Sequence, residues 1–594
     1  MIRKPLRPLA RILQARESGE STDAIQRENM RLRQEEERDH GRQRAELRLL
    51  VLGAAFVMGF VMVGGRMALL ASTDPGEPTM SSGAGAVITS QRGDIVDRNG
   101  RLLATNIETA SVYVHPHQLI DPDRAASELA RIFPELDEAR LHQDFNSERR
   151  FMWIRRQISP EQRQAVHDIG DPGILFGARE TRLYPNGPVA AHIMGGAGFG
   201  SEGVASAEVI GVAGVERFFD ARLRDPATAA EPLQLSIDLT VQAAVEEVLY
   251  GGMTMLNAKG ASGIIMDAYT GEIIAMASLP DFDPNDRPRV LTTGDQSDSP
   301  LFNRAVQGVY ELGSVFKIFA AAQAIELGLV NQDTVLDTRS PLVVGRFRIS
   351  DFDNYGPTNS VHRIIEKSSN VGSARLAMLI GPERQRNFLG SLGFLQPTAL
   401  ELSEAATGVP LLPRTWGELT SITASYGHGF SSSPVHLAAG YATMVNGGHL
   451  VRPTLLHTEE HVQGVPIISP ATSQDVREML RAVVTSGTAS FADVPGYEVG
   501  GKTGSADKPR PTGGYYDDKV IATFAGAFPM NDPRYVFVIT LDEASEYIAG
   551  MTRRTAGWTT VPVTAEIIRR IAPLLGVRPA VELLASSGVT AIAR

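Results

Sequence analysis

The sequence has no cysteine. Disulfides, thiolate zinc sites and a cysteine nucleophile are excluded together. An exported domain built without staples fits that composition. Histidine is sparse, 12 in 594 residues. His115 and His117 stand two apart with no further ligand cluster nearby, so they read as strand-end side chains rather than a metal site. No internal repeat is visible. Basic excess is confined to the start of the chain. Residues 1–48 hold 12 Lys/Arg against 9 Asp/Glu, while the total is −11. With Arg66 counted apart, the remainder from Ala71 on carries −15, an acidic body that argues against nucleic acid as the main partner.

What is present is the composition of a globular protein, 43% hydrophobic and 21% charged, long enough for about three domains. One long apolar run stands out. Leu49 to Gly65, LLVLGAAFVMGFVMVGG, holds no charge. Counted to Leu70, it makes a helix of about 33 Å against a hydrocarbon core of about 30 Å. Residues 49–70 are therefore expected as a transmembrane helix, with Arg66 snorkelling at one end. The basic tail, 1–48, belongs in the cytoplasm by the positive-inside rule, and the body outside. A cleaved signal peptide is disfavoured by the length of the segment before the run. Ala55 and Gly59 form a weak small-xxx-small pair. Residues 71–86, rich in Ser, Gly and Pro, read as a linker.

The body divides in two. From 87 to 233 strand and helix patterns mix; GDIVDRNGR carries an Asn-Gly turn. A second domain, 234–577, opens on a helix capped by Asp238 or Thr240. GIIMDAYTGEIIAMAS then reads as strand, turn, strand. Two late strands, Val520–Phe528 and Arg534–Asp542, precede a closing helix. The expected class is mixed α/β: an antiparallel sheet of about five strands, one hairpin early and the rest late, flanked by helices. Residues 578–594 form a tail.

Gly496 and Gly501-Lys502-Thr503 match the phosphate-cradling P-loop pattern. A P-loop needs a helix directly after it. Here SADKPRPTGGYYDD follows, and its prolines and glycines exclude one. Two upstream patterns explain the lysine otherwise. Ser314-Val-Phe-Lys317 opens an apolar helix just after Gly313, and residues i and i+3 share one helix face. Ser368-Ser369-Asn370 precedes another helix. No histidine pattern accompanies Ser314, so Lys317 is its candidate base.

Ser-x-x-Lys, Ser-x-Asn and Lys-Thr-Gly in this order resemble the penicillin-binding proteins. Arg92–Asn106, Arg182–Gly195 and Gly211–Asp220 are similar to the pedestal of the class B members. Thr423–Gly448 and Gly513–Pro529 resemble the transpeptidase domain of the septal, cell-division branch. The pattern departs at Leu312, where proline is common, and at Ser505, where threonine is common.

The resemblance implies a serine-type D-Ala-D-Ala transpeptidase, inhibited covalently by β-lactams. Ser314 would be the nucleophile, Lys317 the base, Ser368 the proton relay and Lys502 the source of positive potential. Burial and the charge of Lys502 would both depress the pKa of Lys317. Asn370, Thr503, Gly504 and Ser505 would bind the donor peptide, with the amides of Ser314 and Ser505 as oxyanion hole. The expected substrates are peptidoglycan stem peptides, without metal or cofactor. The expected location is the cytoplasmic (inner) membrane, single-pass, with the catalytic domain periplasmic. The expected partners are a polytopic glycan polymerase and other division proteins. An elongation-type transpeptidase, a D,D-carboxypeptidase or β-lactamase, and a non-catalytic scaffold or sensor stay open.

Overall fold

The computed structural model describes residues 7–19, 23, 25, 27, 30–31, 50, 52–54, 56–64, 92–199, 209–459, 462–510, 513–548 and 550–580. Arg7–Glu17 is a helix in the expected tail. Residues 50, 52–54 and 56–64 are helical and exposed. Among the described residues no helix is long and apolar enough to cross a membrane. The rest of the 49–70 run, the 71–86 linker and residues 581–594 lie outside the described residues.

The chain forms two compact units, one of residues 1–79 and 112–177, the other of 80–111 and 178–594. The 87–233 segment thus contributes to both. Strands Leu102–Val114 and Ile174–Leu183 carry the chain across.

Within 112–177, helices Pro122–Ile132, Glu138–Phe145 and Pro160–His167 join strand Met152–Ile158. Each helix starts on a side-chain cap: Asp121, Asp137, and Ser159 in a capping box with Gln162. Tyr113, Phe151 and Trp153 pack edge to face or tilted, with centroids 5.2–5.6 Å apart. His115 joins this aromatic cluster and stacks on His117.

In the larger unit, Ile95–Val96 pairs antiparallel with the Leu102–Val114 strand around the Asn99-Gly100 turn. Gly100 there adopts φ +78° and Asp97 accepts from the amides of Asn99 and Arg101 at 2.8 Å. One buried carboxylate gathers three segments of this part of the chain. Glu216 accepts from Arg92 and Arg182, each at 2.6 Å, and from the Tyr184 hydroxyl at 3.2 Å. Burying charge is tolerable only when it is paired this fully.

The main sheet has five antiparallel strands in the order Gly500–Pro509, Tyr515–Phe528, Tyr535–Asp542, Gly260–Asp267, Ile273–Leu279. The last two are the early hairpin, as the pattern requires. Both faces are covered, so Gly260–Asp267 and Ile273–Leu279 are buried throughout and their sequences show no polar alternation. Helix Leu239–Met255, capped by Asp238, packs with Thr560–Leu574 on the sheet. Helices Pro434–Val445 and Pro470–Thr485 form a second group against it. Helix Lys317–Glu326 sits in the interior; every residue from Lys317 to Ala324 is buried. That is the burial an all-round apolar helix demands.

Candidate active site

The turn that presents Ser314 is built from glycine. Gly313 adopts φ +66°, and a Cβ there would lie 3.2 Å from the Ser505 carbonyl. Its amide donates to the Gly427 carbonyl at 3.2 Å. Residues Gly313–Phe316 form a 3-10 turn that runs straight into the interior helix. The fully buried Tyr441 hydroxyl donates to the Val315 carbonyl at 2.8 Å and anchors the turn from beneath. Ser314 is half-buried while Gly313 and Val315 are covered.

Among the described residues Lys317 directs the hydrogen bonds of its amine to Ser368 rather than to Ser314, which helical spacing alone would not have indicated. Its amine reaches the Ser368 carbonyl and the Ser368 hydroxyl, the latter at 3.1 Å. A buried amine takes the acceptors that satisfy it. Ser368 occupies the left-handed region, φ +65° and ψ +42°, between helices Val361–Lys367 and Asn370–Ile380. Such a conformation is costly for a non-glycine residue and marks a position fixed by its surroundings. It turns the hydroxyl between two amines, because Lys502 Nζ donates to the same oxygen at 2.8 Å.

Both lysines are buried. Burial holds Lys317 well below the usual lysine range, and the charge of Lys502 pushes it further; Asp351 opposes the shift. Burial alone lowers Lys502 to about 7. A neutral Lys317 beside a serine hydroxyl can accept its proton.

The second helix N-terminus is fixed by a residue that no motif marks. Asp351 accepts from the amides of Asn370 and Val371 at 2.5 and 3.0 Å, and from the Ser369 hydroxyl at 2.8 Å. Ser369 in turn caps the helix by accepting from Gly372 N at 2.9 Å. The Asn370 side-chain amide donates to the Ser350 carbonyl at 2.9 Å.

Lys502, Thr503, Gly504 and Ser505 lie on the sheet's edge strand, paired with Tyr515–Phe528 in register Ser505 to Ala522. The next element is a strand, not a helix, so the lysine stands in a hairpin and the P-loop geometry is absent. A Cβ on Gly504 would sit 2.3 Å from the Leu312 carbonyl, which explains that glycine. Thr503 shares a 2.6 Å hydrogen bond with Thr488, and the Ser505 hydroxyl accepts from Ala556 N at 2.9 Å. Sequence reasoning missed Asp351, Thr488 and Ala556, all of which act through contacts distant in the chain. The arrangement is a serine at a helix start, two amines of depressed pKa sharing one hydroxyl, and an unpaired strand edge alongside. It has the parts for acyl transfer.

Comparison with known proteins agrees with this geometry. Residues 261–568 match the model of the penicillin binding protein transpeptidase domain, and 87–227 that of the penicillin-binding protein dimerisation domain. The chain is 35% identical to the probable peptidoglycan D,D-transpeptidase FtsI of Caulobacter vibrioides, over 84% of this chain and 83% of that one. It is 27% identical to peptidoglycan D,D-transpeptidase FtsI of Escherichia coli, over 85% and 89%. The structure resembles penicillin binding protein 3 of Mycobacterium tuberculosis complexed with aztreonam, with TM-score 0.62 and 27% identity, over 83% of this chain and 97% of that one.

Proposed function

The chain belongs to the class B penicillin-binding proteins, and from that premise we propose that it cross-links peptidoglycan stem peptides as a septal D,D-transpeptidase through an acyl-ester on Ser314. The observation that carries the assignment is the Lys317–Ser368–Lys502 cluster beside the nucleophile turn.

In the first half-reaction Ser314 Oγ attacks the carbonyl of the penultimate D-alanine, and its proton passes to Lys317. The amides of Ser314 and Ser505 stabilise the oxyanion. The D-alanine nitrogen leaves with a proton relayed through Ser368. Thr503 and Ser505 hold the terminal carboxylate, Gly504 lets the strand approach the turn, and Lys502 supplies the field. Asn370 binds the donor amide. In the second half-reaction an amine of another stem displaces Ser314. A β-lactam acylates the same oxygen and is not resolved.

Residues 87–233 would serve as pedestal and 234–577 as the catalytic domain. The 49–70 run would anchor the chain in the cytoplasmic membrane with the catalytic domain outside. There it would work beside a polytopic glycan polymerase and other division proteins. The apolar run and the charge bias before it support that topology.

Labelling with a fluorescent penicillin tests the chemistry. The wild type gives a covalent band, and Ser314→Ala gives none at unchanged melting temperature. A band that persists in Ser314→Ala would remove Ser314 from its role. Acyl-ester that goes only to water, never to amine, would replace transpeptidation by carboxypeptidation.

A further inference from the structure

Three residues before the nucleophile stands a carboxylate that the reaction as derived does not use. Glu311 Oε1 accepts from the Gly429 amide at 2.8 Å, and Oε2 from the Tyr515 hydroxyl at 2.9 Å. Both partners are neutral. Among the described residues no Lys, Arg or His side chain pairs with it, and the cations of the hairpin that carries Tyr515, like the two site lysines, are engaged elsewhere. Lys508 and Lys519 bind Glu543, and Arg510 binds Asp517. Lys317 and Lys502 turn to Ser368.

The surroundings fix the carboxylate against the turn. Gly313 donates to Gly427, and a Cβ on Gly427 would lie 2.0 Å from the Gly313 carbonyl. The His428 ring lies against Tyr426 at 5.6 Å and Tyr515 at 6.3 Å. Burial, with the charge of Glu311, raises Tyr426 to about 12 and Tyr515 further still, so both phenols stay protonated. Glu311 is thus a carboxylate without a cationic side-chain partner among the described residues, three residues from Ser314, in a site whose second substrate arrives as a protonated amine.

We propose that Glu311, held by Gly429 and Tyr515, is the acceptor-side recognition group, binding the ammonium of the incoming stem peptide and aligning its nitrogen with the acyl-ester on Ser314. This rests on the transpeptidase reading above. The ammonium releases one proton to solvent. The free amine forms the new C–N bond, its second proton passes to Lys317, and Ser314 Oγ takes that proton as the ester C–O bond breaks. Glu311 positions the acceptor and has no part in acylation.

The test follows the acyl-ester formed from a D-Ala-mimicking thioester donor by the full-length protein. Product is partitioned between water and either D-alanine, whose amine is protonated near neutral pH, or hydroxylamine, whose nitrogen is largely unprotonated there. Glu311→Gln keeps the side chain's shape and an acceptor for Gly429. Its transfer-to-hydrolysis ratio falls about tenfold or more for D-alanine and stays within about twofold for hydroxylamine. Tyr515→Phe, which loosens the carboxylate, gives a smaller loss in the same direction. An unchanged ratio for D-alanine, or equal losses for both acceptors, overturns the proposal, as does loss of acylation itself. A wild type that forms no acyl-ester overturns the transpeptidase reading beneath it, a result recognisably different from a variant defect.

Discussion

At the scale of single residues, the site holds two lysines where water cannot reach them. The cost has a definite sign. Lys502 titrates near 7 when folded and near 10.5 when free. Between those values the unfolded chain binds more protons, so stability climbs with pH across that window and is flat below it. At pH 7 the penalty is on the order of 5 kcal/mol. Lys502→Met should therefore raise the melting temperature at pH 7, and the gain should shrink as pH approaches 10. Penicillin labelling of that variant should collapse. Thermal melts at pH 7 and 9.5, run beside labelling, check both halves; a variant less stable at pH 7 would contradict the burial argument. That Lys317, Ser368 and Lys502 come together was legible in the sequence from the order of their three motifs. Glu311 and Asp351 were not. The first meets Tyr515 across 204 residues and the second meets Ser369 across 18, and no local pattern encodes such distances.

Elements set the site's precision. The Asn370–Ile380 helix begins correctly because Asp351 collects two amides and a hydroxyl at its first turn. Asp351→Ala removes a cap worth about 1–2 kcal/mol and frees Asn370 from its register. Acylation by penicillin should slow by about tenfold. The acid limb of its pH profile should also move to lower pH, since Asp351 is the group that raises Lys317. Stopped-flow acylation from pH 5 to 9 reads both effects; a slower rate with an unmoved limb would leave only the capping role. The make-up of the sheet, one early hairpin and the rest late, was legible too, because an early apolar hairpin and two late apolar strands have only each other to bury against; the order of its strands was not. The partner that the Lys317 amine takes was not legible. Helical spacing brings side chains to one face, but a buried amine is directed by the acceptors available, and Ser368 supplies two.

Across the whole molecule, the proposed chemistry and the apolar run at 49–70 occupy separate stretches of chain. A chain starting at Arg92 should remain in the soluble fraction and label with penicillin as the full chain does. The full chain should sediment with membranes; fractionation followed by labelling decides it. The division of residues 87–233 between two compact units was not legible, because strands that carry the chain out and back look like any other strands. The strand bearing Lys502 has a wider consequence. It is the last in its sheet, and its outer rim offers main-chain N–H and C=O groups to whatever lies down beside it. In the proposed binding mode a peptide, or a drug that imitates one, would therefore be gripped in part by atoms common to every amino acid. No exchange of side chains deletes the carbonyls, and only an exchange to proline deletes an N–H. A variant that escapes the drug by weakening that grip must tilt or shift the strand. The turn at Leu312–Gly313 is wedged against Gly504 and Ser505, so such a tilt disturbs the nucleophile as well, and evasion and catalysis draw on the same few tenths of an ångström.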